Sequence, residues 1–232
     1  MLKKTLLAAV ALGLAATAVQ ANDISGYATY SVGHGIASKP KAAKEVQSFY
    51  KEFGGSTTTD RASAGHKIVV GLNVHPYIAL EAQYTNLGKT NYKGSFADND
   101  GAGNSIGFSD KLNLKTSGFG GNVVGKYPIQ DFTVFAKAGY HLMRTKGTFK
   151  ENGAVSFAGF SDSFSNSNSK TVSKWAPSVG IGAAYDMTPE LSVVAEYERY
   201  QGLANKKVNI DGDKLSFKHN VDFTSVGLRY TF

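Results

Sequence analysis

The sequence predicts an all-β fold, an eight-stranded antiparallel transmembrane β-barrel with short periplasmic turns and four longer extracellular loops, from three observations. Apolar and polar side chains alternate along segment after segment of about ten residues. Short turns alternate with long connections. The last segment, Ser225-Val226-Gly227-Leu228-Arg229-Tyr230-Thr231-Phe232, puts Val226, Leu228, Tyr230 and Phe232 on one apolar face and stops on an aromatic residue.

At the other end, Lys3 and Lys4 precede an apolar run from Leu6 to Val19, and Val19-Gln20-Ala21 offers a cleavage site before Asn22. This is the layout of a secretory signal peptide, so residues 1–21 are expected to be a leader and 22–232 the barrel domain. The apolar run is short of the roughly 20 residues that span a bilayer as a helix. No later stretch approaches that length.

The strands follow in order. The first lies near Ile24 to His34, and after a long segment come a second near Ala64 to Val74 and a third near Tyr77 to Leu87, separated by His75-Pro76. Proline cannot extend a ladder there, so the chain turns. A fourth strand, about Leu114 to Tyr127, turns through Pro128-Ile129-Gln130-Asp131 into a fifth from Phe132 to about Arg144. Beyond a serine-rich segment, a sixth near Thr171 to Tyr185 turns through Asp186-Met187-Thr188-Pro189 into a seventh near Leu191 to Gln201. The eighth occupies roughly Lys218 to Phe232.

Alternation assigns faces. Ile78, Leu80, Ala82 and Tyr84 oppose Ala79, Glu81, Gln83 and Thr85; Val134, Ala136, Ala138 and Tyr140 oppose Phe135, Lys137, Gly139 and His141. Likewise Leu191, Val193, Ala195 and Tyr197 oppose Ser192, Val194, Glu196 and Glu198, while Val179 and Ile181 oppose the small residues Ser178, Gly180 and Gly182. Small inward residues suit the narrow interior of eight strands. Tyr84, Tyr127, Phe132, Trp175, Tyr185, Tyr230 and Phe232 fall where interfacial girdles belong. By the same parity Glu81, Lys137, Glu196 and Arg229 form a candidate charge cluster in the lumen.

Composition narrows the classes further. The absence of cysteine removes disulfides, thiol catalysis and cysteine-ligated metal, and 26 glycines with 12% aromatic residues favour β structure over a helical bundle. The formal charge of +7, about +5 without Lys3 and Lys4, suits anionic lipopolysaccharide or an acidic surface, although modest basicity also serves solvation.

The stretch from Ala64 to Tyr84, with the turns Lys126-Tyr127-Pro128-Ile129 and Asp186-Met187-Thr188-Pro189-Glu190-Leu191 and the terminal strand, resembles the transmembrane domain of the OmpA family across all eight strands but not the loops. The opacity-type surface proteins share this plan. The resemblance implies inward charges at Glu81, Lys137 and Glu196, and it implies that Gly227, Tyr230 and Phe232 belong to the signal read by the barrel assembly machinery. Val124, Ala184 and Val194 stand where that family often has further inward charges. Arg229 would then have to stand in as partner for Glu81, and a fixed hydrogen-bonded plug is expected over a switchable gate. Larger members continue into a periplasmic peptidoglycan-binding domain, which is not expected here.

No catalytic, cofactor or metal residue is assigned. His34, His66, His141 and His219 are scattered among Ser and Asp without ligand spacing, and are expected to be rim or lumen hydrogen-bonding groups. Asp98-Asn99-Asp100-Gly101 is expected to be a tight turn, lacking the rest of a calcium loop. In the first outer loop, Ser38-Lys39-Pro40 starts a candidate amphipathic helix ending at Gly54-Gly55, with Val46, Phe49, Tyr50 and Phe53 as its apolar face over the barrel mouth and Lys39, Lys41, Lys44 and Lys51 on its polar side. A segment this short is also compatible with transient helicity. In the third loop, Phe157, Phe160 and Phe164 interleave with serines, which suits either an extended hairpin or a mobile loop.

The expectation is an integral protein of the bacterial outer membrane that supports the envelope and displays loops for interaction or adhesion. A small low-conductance porin and an outer-membrane lipid- or peptide-modifying enzyme are the alternatives. Outer-membrane lipid and lipopolysaccharide, the barrel assembly machinery and host surface molecules are the expected partners, with no nucleic acid and no cofactor.

Overall fold

The computed structural model describes residues 25–210 and 213–232, so the predicted leader, residues 1–21, lies outside the described residues. The chain forms β1 (Ser25–Ala37), α1 (Lys41–Glu52), β2 (Ser56–Asp60), β3 (Ala62–His75), β4 (Ile78–Asn99) and β5 (Ser105–Ile129). It continues through β6 (Phe132–Phe157), β7 (Phe160–Asp186), β8 (Leu191–Leu203), a small hairpin of β9 (Lys207–Ile210) and β10 (Asp213–Ser216), and β11 (His219–Thr231). Eight of these strands make a closed antiparallel ring in the order β1, β3, β4, β5, β6, β7, β8, β11. All eight predicted strands are present and the fold class is as expected.

Closure joins β1 to β11 from Tyr27 opposite Thr231 to Ala37 opposite Val221. At its foot the backbones of Gly26 and Phe232 exchange hydrogen bonds of 2.9 and 2.8 Å. The Phe232 ring lies over Gly26, where any Cβ would collide with it. Outward rings pair near the short turns: Tyr77 with Tyr127, Phe132 with Tyr185, and Tyr230 with Phe232. Farther along the strands Tyr84, Phe119, Tyr140 and Trp175 face outward as a second girdle, with Tyr140 and Trp175 stacked at 5.4 Å. An apolar band between two aromatic girdles is the surface that lipid selects.

Strands β4 to β7 are 22 to 27 residues long, more than twice what a bilayer needs. Their upper halves project as a sheet, and β2 adds to its β4 edge from Ser56 opposite Ser95 to Asp60 opposite Asn91. Most of the predicted second and third loops is therefore strand. Asp98 and Asn99 still pair as the end of β4, so the predicted turn begins at Asp100, which accepts hydrogen bonds from the Asn104 side chain and from the Ala102 and Asn104 amides. Led by the Asn104 side chain, they hold its carboxyl below the usual range.

A bulge between Asn86 and Lys89 resets the parity of β4. Gly88 takes φ +79 there, a conformation that side chains disfavour. Below the bulge Thr85 and Leu87 point inward, and above it Thr90, Tyr92 and Gly94 do.

The predicted helix is present, but it docks on another face. Ala42, Ala43, Gln47 and Tyr50 are buried, while Phe49 and Phe53 are 56% and 58% exposed. Size explains the choice: two alanines let the helix approach Tyr92, Leu112 and Leu114, and Gly94 leaves the slot that the Tyr50 ring fills. On the polar side, Lys39 donates to Gln47 and Lys41 pairs with Glu45 at 3.5 Å.

The interior is filled in layers. Tyr27, Val69, Ala79, Val124, Phe135, Ala184 and Val194 form an apolar floor near the short turns. A polar layer follows. Above it lie Leu87, Met143, Ala176, Tyr200, Leu203, Val221 and Phe223, then the layer under α1, with Tyr92, Leu112, Leu114, Val172 and Phe217.

Candidate functional site

The polar layer is built from inward positions on β3 to β8. Lys67 and Lys137 sit among Glu81, Glu196 and Glu198, all five buried. Glu196 lies 2.6 Å from Lys67 and 2.5 Å from Lys137. Glu198 lies 3.3 Å from each lysine and also accepts hydrogen bonds from Ser178, Gln83 and Tyr200 at 2.9, 3.1 and 2.8 Å. Glu81 accepts from the Tyr27 hydroxyl at 2.9 Å and from Asn122 at 3.1 Å, with Lys137 at 3.6 Å. Gln83 bridges the set, its carbonyl accepting from Lys137 and Asn122 and its amide donating to Tyr200. Each buried charge thus meets opposite charge, and Glu81, Glu198 and Lys137 meet neutral donors or acceptors as well, the condition for keeping ions out of water.

Of the four predicted cluster residues, the structure brings Glu81, Lys137 and Glu196 together. Arg229 points inward but stands one layer lower. Its guanidinium lies 4.3 Å from the centre of the Tyr27 ring and 5.7 Å from that of Phe135, and its Nε donates to Thr29. Tyr27 comes between it and Glu81, so Arg229 does not stand in as the ion-pair partner of Glu81. Lys67 and Glu198 complete the layer and were not among the predicted cluster. Their parity was legible, Lys67 two before Val69 and Glu198 two after Glu196.

One lumen geometry bears on catalysis. His141 Nε2 lies 3.0 Å from Ser178 Oγ, and Ser178 donates to Glu198. A catalytic triad needs the carboxylate on the far ring nitrogen, where it orients the imidazole. Here serine and glutamate share the Nε2 side, Nδ1 has no partner, and all three residues are fully buried. The set is a buried hydrogen-bonded cluster. Among the described residues no three His, Asp or Glu come together as metal ligands.

The projecting sheet carries a second surface. Its inner face, continuous with the lumen, bears Phe96 opposite Phe108, and Phe157 opposite Phe160. Phe108 and Phe164 meet over Gly153, their rings 6.4 Å apart, where a side chain would collide with Phe164. Phe108, Phe157, Phe160 and Phe164 are 39%, 64%, 65% and 50% exposed. At the base of this face the Tyr50 hydroxyl bonds to Asp110, tying α1 to β5. Burial raises the Asp110 carboxyl above its ordinary range, and burial followed by the Asp110 charge raises the Tyr50 phenol.

At the predicted assembly signal, Tyr230 and Phe232 present their rings outward, and Gly227 lets β11 pass closely over Ser31.

Comparison with known proteins places these features in context. Residues 5–232 match the family model described as outer membrane protein beta-barrel domain. Among solved structures, Neisserial surface protein A is 15% identical, the alignment covering 89% of this chain and 97% of that one, with a TM-score of 0.48. The attachment invasion locus protein Ail of Yersinia pestis is 14% identical over 89% and 99%, TM-score 0.39. The outer membrane protease OmpT of Escherichia coli is 12% identical over 92% and 98%, TM-score 0.39. No curated protein matches the sequence.

Proposed function

Because the chain belongs to the outer membrane protein β-barrel domain family and is an integral outer-membrane protein, we propose that it is a closed, non-enzymatic barrel that supports the envelope and holds an aromatic extracellular face for contact with other surface molecules. The observation that carries this reading is the pairing of a filled lumen with a rigid projecting sheet. Four phenylalanines remain exposed on the inner face of that sheet, although monomeric proteins rarely leave a contiguous apolar patch in water. Strands fix these rings at little ordering cost, the usual condition for aromatic anchors of an interface.

The test compares the native protein with the triple variant Phe157→Ser, Phe160→Ser, Phe164→Ser, in planar bilayers and in adhesion of barrel-displaying cells to host surfaces. Silent bilayers for both, with adhesion lowered on the order of tenfold by the variant, are expected. Stable, reproducible unit conductance would replace this reading with the small-porin one, and equal adhesion would remove the aromatic face from it. Insertion is expected to use the outward Tyr230 and Phe232 as the assembly signal, so that deleting Phe232 lowers outer-membrane levels.

A further inference from the structure

The outward face of the projection, opposite the aromatic one, carries two rows of lysine. Lys89 on β4 stands directly opposite Lys115 on β5, which stands opposite Lys146 on β6. Four residues higher, Lys93 stands opposite Lys111, and Lys111 opposite Lys150. All six are exposed, and Arg144, also exposed, flanks the lower row. The Gly88 bulge is what turns Lys89 and Lys93 to this side. Their neighbours on the same face are neutral, Asn91, Ser95, Asn113, Ser117 and Thr148, and the nearest carboxylate in register is Asp60 on the β2 edge.

Like charges directly across a sheet destabilise it. Four such pairs in two ladders are an unfavourable arrangement unless an anion lies over them. Height selects the anion. Lys115 is four residues above Phe119 of the upper girdle, or about 10 Å after allowing for strand tilt, which is headgroup level, and Lys111 is about as far again. A soluble polyanion has no reason to match those levels. A membrane-anchored one does.

We propose that the outward face of β4, β5 and β6 is a two-tier site for an outer-leaflet glycolipid, the lower tier binding phosphate on the lipid-anchored sugar and the upper tier binding anionic groups on the next sugars. This site is independent of the aromatic contact face on the other side of the sheet. Three lysines on adjacent strands span about 10 Å, the width of one or two sugar rings. Each lysine near an anionic membrane surface contributes about a fivefold factor to affinity, so one tier is worth on the order of a hundredfold.

The experiment uses the full barrel in phospholipid nanodiscs, with three probes: lipopolysaccharide carrying a phosphorylated core, the lipid A portion alone, and dephosphorylated lipid A. Two neutralised barrels are compared, Lys89→Ser/Lys115→Ser/Lys146→Ser and Lys93→Ser/Lys111→Ser/Lys150→Ser, and Lys41→Ser/Lys44→Ser/Lys51→Ser on α1 is the control. Heat-resistant migration in gels establishes folding of each. The lower-tier variant is expected to lose on the order of a hundredfold toward both phosphorylated probes, and the upper-tier variant toward the core-bearing probe only. The α1 variant and the dephosphorylated probe should show no such dependence. Equal binding of phosphorylated and dephosphorylated lipid A, or losses in the α1 variant matching those of the ladders, would overturn the proposal. So would binding of heparin tighter than that of either glycolipid and abolished by the same ladder variants, because the ladders would then serve a soluble glycan.

Discussion

The lumen and the outward face of the projection use the same side-chain alternation to opposite electrostatic effect. Inside, Lys67 and Lys137 lie within 3.3 Å of carboxylates, and glutamine, asparagine and tyrosine fill the remaining positions. Outside, six lysines face one another across three strands. Burial explains the contrast. An ion in the interior must bring its partners with it, whereas an exposed ion can leave them to water or to the membrane.

Substitutions can break that comparison, and the largest effect is expected inside. Replacing Lys137 by Met leaves three buried carboxylates facing Lys67 alone, and should lower unfolding stability by about 3 to 5 kcal/mol in reversible urea titration from lipid. Glu81→Gln should cost less, about 1 kcal/mol, because Lys137 is 3.6 Å away, keeps Glu196 and Glu198, and the amide can still pair with Tyr27 and Asn122. Equal losses at the two sites would mean that the layer acts as one undivided network.

An intermediate effect is expected where α1 meets the projection. Gly94→Val would push a side chain into the Tyr50 ring, costing about 1 to 3 kcal/mol of local stability. Hydrogen exchange should then show α1 losing protection while the β1–β11 seam keeps its own. The burial of Asp110, which outweighs its bond from Tyr50, adds a pH dependence. The folded pKa of Asp110 is raised, so its contribution favours the docked helix below the ordinary aspartate value and is lost as pH rises through the raised one. Protection of α1, corrected for intrinsic exchange, should increase on acidification from neutrality, and Asp110→Asn should flatten that trend. The smallest effect is expected at Lys44, whose exposed side chain should cost less than about 0.5 kcal/mol when replaced by Ala.

The barrel was legible because lipid imposes a binary pattern on every spanning strand. Glu81, Lys137, Glu196 and Arg229 all take the inward side that their parity predicts. Their partners were harder to read, because alternation reports a side and not a height. Arg229 therefore came out beside Tyr27, below Glu81. The helix misled for another reason: a stripe such as Val46, Phe49, Tyr50 and Phe53 measures apolar content, whereas docking depended on the small Ala42 and Ala43 and on an empty place at Gly94. The length of β4 to β7 was hidden because the projecting segments are rich in Ser, Asn and Lys, and only pairing reveals them as strand. The two lysine rows emerge from that same pairing, since each lysine alone looks like ordinary solvation.

The seam between β1 and β11 sets the order of folding events. Arg229 bonds to Thr29 across 200 residues of chain, while every other neighbouring pair in the ring is joined by a turn or a single loop. Local hairpins can form early, but this junction carries the greatest loop-closure cost and should close last. Until it does, β1 and β11 each present an open edge, with unpaired amides and carbonyls that the hydrocarbon interior will not accept. An incomplete polypeptide would thus be left as a curved sheet barred from stable insertion. Gly26 and Phe232, whose backbones lock the foot of the junction, remove the last of those open edges.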